Sequence, residues 1–258
     1  FLSSQLLLLD RREAYRDHPL SVTRTFMVAF EQIQRSNTLA ADLLTVCAFL
    51  APEAIPEMFF TEGATSLGST FGVLTVEPLA FQDAIQALLS YSLLQRNSAT
   101  HTLTIHRLVQ VVLKGLLSEA VQHTWVGRVI KTMSLLFPSD ELTQADYWQI
   151  CERLLPHAQL CITLWEQWKE DETLYICFLD HLATYLVMRA RYEEAESLFQ
   201  QALSVAEPVL GPIHSLIASL LHGLADLYRE QGKYKEAESL FQRALHIWEQ
   251  TKGSEHLL

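Results

Sequence analysis

At 258 residues with 49% hydrophobic side chains, the chain has room for one large domain or two small ones, and enough apolar surface to exclude a disordered segment. A net charge of −11 excludes the overall basic balance with which duplex-DNA binders displace counterions, so no nucleic-acid partner is expected. Cys47, Cys151, Cys161 and Cys177 form no CxxC pair and no ligand-like spacing with histidine, and read as small buried hydrophobes in a reducing compartment.

The longest apolar run near the start, Leu6–Leu9, is too short to span a bilayer and has no basic region before it. A cytoplasmic protein with no membrane partner is expected. The chain begins at Phe1 rather than at methionine and stops at GSEHLL, so it reads as the middle of a longer protein.

In chain order, residues 1–19 read as a short helix from a preceding domain, ending before Pro19 because a residue ahead of proline is pushed out of the α region. Residues 20–120 read as a compact α+β unit. Val22, Phe26, Phe30 and Ile33 fall on one helical face. Ser36, Asn37 and Thr38 offer caps for a second helix carrying Leu39, Leu43, Val46 and Leu50, which Pro52 and Pro56 end. A loop holding Gly63, Gly68 and Gly72 precedes a helix over 78–90. Ser92–Arg96 and His101–Ile105 alternate in polarity around the turn Asn97–Thr100, a hairpin signal, and Leu108, Val111, Val112 and Leu116 resume a helical period. Helices in helix-turn-helix order followed by a small hairpin predict a winged helix. Residues 121–170, rich in tryptophan, predict a helical connector broken at Pro138 and Pro156 that packs the first unit against the C-terminal part of the chain.

Residues 171–258 carry an internal repeat. RYEEAESLFQQALSVAEPVLG, residues 191–211, recurs 42 positions later as KYKEAESLFQRALHIWEQTKG, with twelve of 21 aligned positions identical. The matches keep helical spacing: Tyr192/Tyr234, Ala195/Ala237, Leu198/Leu240, Phe199/Phe241 and Ala202/Ala244. Such a unit cannot bury its apolar face alone. In the second copy, His214–Glu230 and Tyr234–Gln250 predict antiparallel helices about a turn at Gly232; the copy ends near 253 and a truncated third would begin at GSEH. Phe241 is expected to fill the space between helices, so that Phe241→Ala costs about 3–5 kcal/mol.

The string GKYKEAESLFQRALHIWEQ followed by GSEH resembles the tetratricopeptide family, in the form found in kinesin light chains. The first copy departs from it with Leu186 where Tyr228 stands and Ala190 where Gly232 stands. The resemblance implies an α-α superhelix whose groove binds a protein or peptide. The lining residues would be Asp180, Thr184 and Val187 in the first repeat and Ser219, His222, Asp226 and Arg229 in the second. The family's backbone-gripping asparagine is replaced by His181 and Gly223, which sets the chain apart from kinesin-cargo binding. Plain solvated helix surface is the alternative reading of these residues.

Ahead of the repeats, HPLSVTRTFMVAFEQI, LLTVCAFLAPEAIP, AIQALLSYSLLQR and LTIHRLVQVVL stand in an order that resembles bacterial NB-ARC proteins with tetratricopeptide tails. These are signal-transducing ATPases with numerous domains (STAND proteins), relatives of plant disease-resistance proteins. The resemblance covers roughly 15–120 and runs through LLPHAQL, residues 154–160, into the repeats. It implies a mainly α, non-catalytic regulatory and sensing segment, with the winged helix as a switch element and the NTPase domain as an intramolecular partner. The superfamily's Met-His-Asp motif would be Ile105-His106-Arg107 here, with only the histidine kept. His106 would then contact the β-phosphate of ADP held by an NTPase domain outside this chain, since an imidazole N–H is a donor and gains as a cation beside phosphate. The alternative is that His106 caps the helix after the hairpin.

No P-loop is present. The nearest string, Gly63 to Thr70, has Ser69 in place of the lysine and reads as a flexible loop. There is no HExxH, no GxSxG and no supported Cys/His pair, and His101 and His106 point to opposite faces of a strand end. The chain is therefore expected to be no enzyme, to hold no metal, and to meet ADP or ATP only within a larger protein. Two other functions stay open: a tetratricopeptide scaffold or adaptor without a nucleotide switch, and a winged-helix transcriptional regulator. Against the second, the candidate recognition helix PLAFQDAIQALLS carries no lysine or arginine.

Overall fold

The computed structural model describes residues 19–77, 79–137, 145–169 and 171–255. The helix expected over 1–18, Pro138 and the start of a third repeat beyond 255 lie outside them. The chain is mainly helical with one small sheet, and divides into two compact units: residues up to 136 with 152–168, and residues 137–151 with 169 onward. The stretch 121–170, set apart in the sequence as a connector, is therefore shared between the two units.

The first unit is built around α2 (Thr38–Ala48), which follows α1 (Pro19–Ser36). Asn37 caps α2 by accepting the Ala40 N–H at 2.9 Å. Leu39, Ala40, Ala41 and every residue from Leu43 to Ala48 are buried, as in a helix apolar on all sides and enclosed by its neighbours. Phe26, Phe30 and Ile33 of α1 are buried as their spacing predicts. The side chain of Val22 lies outside the described residues.

The glycine-bearing stretch after α2 is helical and packed, not a flexible loop. It forms β1 (Ile55–Pro56), α3 (Met58–Thr61), α4 (Ala64–Leu67) and a 3-10 turn over Ser69–Thr75. Phe59, Phe60, Leu67 and Phe71 are fully buried, with the Phe60 ring 6.4 Å from Phe71 and 6.2 Å from Phe81. Gly63 is required by close packing: a Cβ there would lie 2.3 Å from the Thr132 methyl and 2.4 Å from the Phe59 carbonyl oxygen.

α5 (Leu79–Ser90) leads into the predicted hairpin, β2 (Leu94–Asn97) and β3 (Thr102–Ile105). β3 pairs antiparallel with both β2 and β1, in the order β1-β3-β2. β1 escapes a periodicity reading because it has two residues, and its Pro56 is tolerated only because the strand lies at an edge. α6 (Arg107–Leu116) and α7 (Glu119–Leu136) come next.

α8 (Ala145–Trp168) runs through Pro156, so this proline does not break the helix as its type predicts. It removes the N–H that would bond the Glu152 carbonyl, and the packing on either side compensates: Leu154, Leu155, Ala158 and Cys161 are buried.

The second unit contains α9 (Glu172–Met188), α10 (Tyr192–Leu210), α11 (Ser215–Glu230) and α12 (Tyr234–Glu255), two helical hairpins at the repeat period. α12 continues through Gly253, beyond the end expected for the second copy. Ala190 and Gly232 occupy the same place in their turns and share the left-handed conformation, with φ of 57° and 76°. In both turns the next residue's N–H reaches five back, Arg191 to Leu186 O at 2.9 Å and Lys233 to Tyr228 O at 2.8 Å. Small Ala195, Ala202, Ala237 and Ala244 let the helices approach closely.

Candidate partner-binding groove

Helices α9 and α11 are the first helices of the two repeats, and their side chains three and four residues apart project onto one face. Asp180, Thr184 and Val187 from α9 and Ser219, His222, Asp226 and Arg229 from α11 all line one cavity of about 580 Å³. Gly223, His181, Phe199 and Trp248 complete its floor and sides. The sequence-selected groove residues are thus brought together on one surface.

The α11 residues form a connected polar row. Arg229 Nη1 lies 2.9 Å from Asp226 Oδ1, and His222 Nδ1 lies 3.3 Å from Asp226 Oδ2. Arg229 also reaches Glu230 at 3.4 Å. The His222 ring packs 5.2 Å from Phe241 and 5.6 Å from Trp248, so α12 orients it. On α9, burial first, and then the Asp180 and Asp171 charges, raise the Cys177 thiol above its ordinary range.

Gly223 is where the tetratricopeptide pattern places asparagine. A Cβ at this position would meet the Phe199 ring at 2.6 Å, with Asp180 Oδ1 at 3.7 Å. The ring of Phe199, fully buried from α10, thus occupies the space an asparagine side chain would need.

The second candidate, His106, is exposed at the end of β3 and is the N-cap of α6. Its Nδ1 accepts the Leu108 N–H at 3.1 Å. This requires the neutral tautomer with its proton on Nε2. His214 makes the same cap at the start of α11, accepting the Leu216 N–H at 3.2 Å. Arg107 is the first residue of α6 and is exposed.

Three residues that sequence patterns pass over hold the first unit together around the β2–β3 hairpin. Gln110 is buried on α6 and donates through Nε2 to Cys47 O at 2.9 Å and Leu50 O at 2.8 Å, satisfying carbonyls at the end of α2. Arg96 grips Glu57 with Nε to Oε1 at 2.6 Å and Nη2 to Oε2 at 2.8 Å, and donates to Gln82 at 2.6 Å. His157, fully buried on α8, accepts the Ala51 N–H at 3.1 Å, and burial pushes its pKa down to about 4. For Gln110 the one signal was a lone polar residue inside an apolar run, LVQVVL; for His157 it was weaker, since LLPHAQL also carries Gln159.

Among the described residues, no three His, Cys, Asp or Glu side chains are grouped to hold a metal ion, and no helix is long and apolar enough to cross a membrane.

Residues 171–257 match the tetratricopeptide repeat family, and residues 28–121 match a domain of unknown function (DUF7779). A nucleotide-binding leucine-rich repeat (NLR)-like protein of the fungus Hyaloscypha variabilis is 27% identical over 218 residues, covering 81% of this chain and 20% of the relative. The chain thus spans about a fifth of the length of the curated relative it matches. No solved structure matches the chain.

Proposed function

We propose that this chain is the non-catalytic sensing and regulatory part of a nucleotide-switched, cytoplasmic signalling protein of the STAND type. Its repeats recognise a protein or peptide partner, and its first unit is a switch element built as a winged helix. The observation that carries the reading is the groove: seven residues selected by the tetratricopeptide pattern line a single cavity on α9 and α11. The antiparallel order β1-β3-β2, with the β2–β3 hairpin following α5, supports the winged helix. The relative's description as nucleotide-binding supports an NTPase domain elsewhere in the protein.

His106 can serve both roles foreseen for it. The cap uses Nδ1, and in that tautomer the exposed Nε2–H is left as a donor for an ADP β-phosphate held by an upstream domain. ADP or ATP would be held by that domain, and this chain alone would have no ATPase activity and no measurable ADP affinity.

Two experiments test the reading. Peptides selected from a random displayed library on this chain should lose binding to His222→Ala and Asp226→Ala chains; binding insensitive to both variants would remove the groove from the proposal. In the full-length protein, both His106→Ala and His106→Asn should release ADP during purification, the second while retaining a capping side chain. Retained ADP in both would leave His106 a helix cap.

A second reading is an adaptor with no nucleotide switch. It is favoured by His214, which makes the same cap with no nucleotide role assigned to it. A P-loop upstream of Phe1 in the gene separates the two readings.

A further inference from the structure

We infer that the outer face of α12 is the seat of a further helix, supplied by the polypeptide that follows Leu258, which sets a small residue over Phe241 and a tyrosine hydroxyl on Glu238. The junction already formed between α10 and α11 is the pattern for it. There Tyr228 of α11 donates its hydroxyl to Glu196 Oε1 at 2.8 Å. Gly223 of the same helix lies against the Phe199 ring, where a Cβ would come within 2.6 Å, and Phe199 is fully buried.

The repeat period carries that seat onto α12 residue by residue. Tyr192, Glu196, Phe199 and Leu203 of α10 correspond to Tyr234, Glu238, Phe241 and Leu245. At all four places the α12 residue is the more exposed. Tyr234, Glu238 and Leu245 are exposed where Tyr192, Glu196 and Leu203 are half-buried, and Phe241 is half-buried where Phe199 is buried. Glu238 keeps the Gln242 amide at 3.4 Å, as Glu196 keeps that of Gln200 at 3.3 Å, but among the described residues no tyrosine reaches it. Tyr234, Glu238, Phe241 and Leu245 line one hollow of about 330 Å³ on this face. An apolar row with a carboxylate beside it fits a helix of the α11 build, whose apolar stripe covers the rings while a tyrosine brings a donor on an apolar body.

The sequence also holds the route by which such a helix arrives. In GSEHLL, residues 253–258, Gly253, His256 and Leu258 stand at the register of Gly211, His214 and Leu216. Gly211 ends α10 with φ of 77°, and His214 caps the helix that packs on α10. α12 instead runs on through Gly253. A covering helix therefore requires Gly253 to leave α12 and take the left-handed turn, a conformation glycine enters at no steric cost. Gly253 thus has two uses: helical while the face is open, left-handed once it is covered.

The first test is the gene. As far after His256 as Gly223 lies after His214, it should encode glycine, alanine or serine, and at the register of Tyr228 a tyrosine; a continuation without that pair overturns the inference. The second prolongs the chain by one repeat period of its own gene and compares it with the chain ending at Leu258, following urea unfolding by circular dichroism. Gly253→Ala should lower the midpoint of the longer chain, where the residue turns, and leave that of the shorter one level or higher, where it is helical. Phe241→Ala should lower the midpoint of the longer chain as much as Phe199→Ala does, and that of the shorter chain less. Glu238→Ala should lower it in the longer chain and leave the shorter one unchanged. Should the Phe241 variant fail to fold, the other two carry the test. Changes of the same sign and size in both chains would mean that no helix sits on α12, and would overturn the proposal. A concentration-dependent dimer of the longer chain in sedimentation, abolished by Leu245→Lys, would seat a second copy on this face and overturn it equally.

Discussion

The two units of this chain are held together in different ways. In the first, polar side chains tie distant segments together: buried Gln110 reaches back to Cys47 and Leu50, buried His157 to Ala51, and Arg96 to buried Glu57. In the repeats, rings and small residues packed between successive helices fill the interior, with Phe199, Ala202, Leu220 and Leu224 all buried. The difference teaches where each unit is vulnerable. A unit fastened by buried polar groups responds to pH and to the loss of one partner, whereas a stacked repeat responds to the loss of a ring.

The two copies of the repeat sharpen this further. Phe199 and Phe241 occupy the same place in the pattern, yet Phe199 is fully buried under α11 while Phe241 is half-buried. Around Phe241, Tyr234 is 69% and Leu245 55% exposed, because no described element lies on the outer face of α12. The cost first expected for Phe241→Ala therefore belongs to Phe199. Phe199→Ala should destabilise the repeats by about 3–5 kcal/mol and Phe241→Ala by about 1–2 kcal/mol, as read from urea unfolding. Equal costs would break the comparison between the copies.

Acid should separate the two units. His157 has a folded pKa of about 4, below its ordinary value of 6.5, because burial favours the neutral ring. The unfolded chain thus binds the extra proton between these values, so the contribution is full above pH 6.5 and is lost as pH falls toward 4. The loss is on the order of 3 kcal/mol across that window. Opening free energies from hydrogen exchange should fall in the first unit over this range, and His157→Asn should flatten that dependence. A fall confined to the repeats would contradict it.

Restoring the family's asparagine tests the groove floor. Gly223→Asn should cost roughly 1–3 kcal/mol, since the Phe199 ring must move to admit it. A melting temperature at or above that of the parent chain would mean that the ring yields freely. The smallest effect lies in the turns. Ala190→Gly should stabilise by about 0.5–1 kcal/mol, because an L-residue in the left-handed region is strained where glycine is not. Gly232→Ala should do the reverse by a similar amount, and like-signed changes would show that the turns are not equivalent.

The repeats were legible because their contacts are local. Spacings of three and four residues place Asp180, Thr184, Ser219, His222 and Asp226 on first-helix faces, and the 42-residue period sets those helices side by side. The hairpin of the first unit was legible for the same reason, through its polar turn at Asn97–Thr100. The short helices around Gly63 were not, since three or four residues carry no readable period and glycine there answers to close packing against Thr132.

By itself, then, the sequence determined the helical class, the repeat, the hairpin and the candidate groove residues, all of which come from periodicity within neighbouring residues. Only the tertiary structure decided how those side chains are used. It showed that Phe199 fills the place of an asparagine, that Phe241 does not share its burial, and that Gln110 and His157 fasten one unit across 60 and 106 residues. Burial and hydrogen bonding between distant residues depend on which surfaces meet, and no local pattern records that.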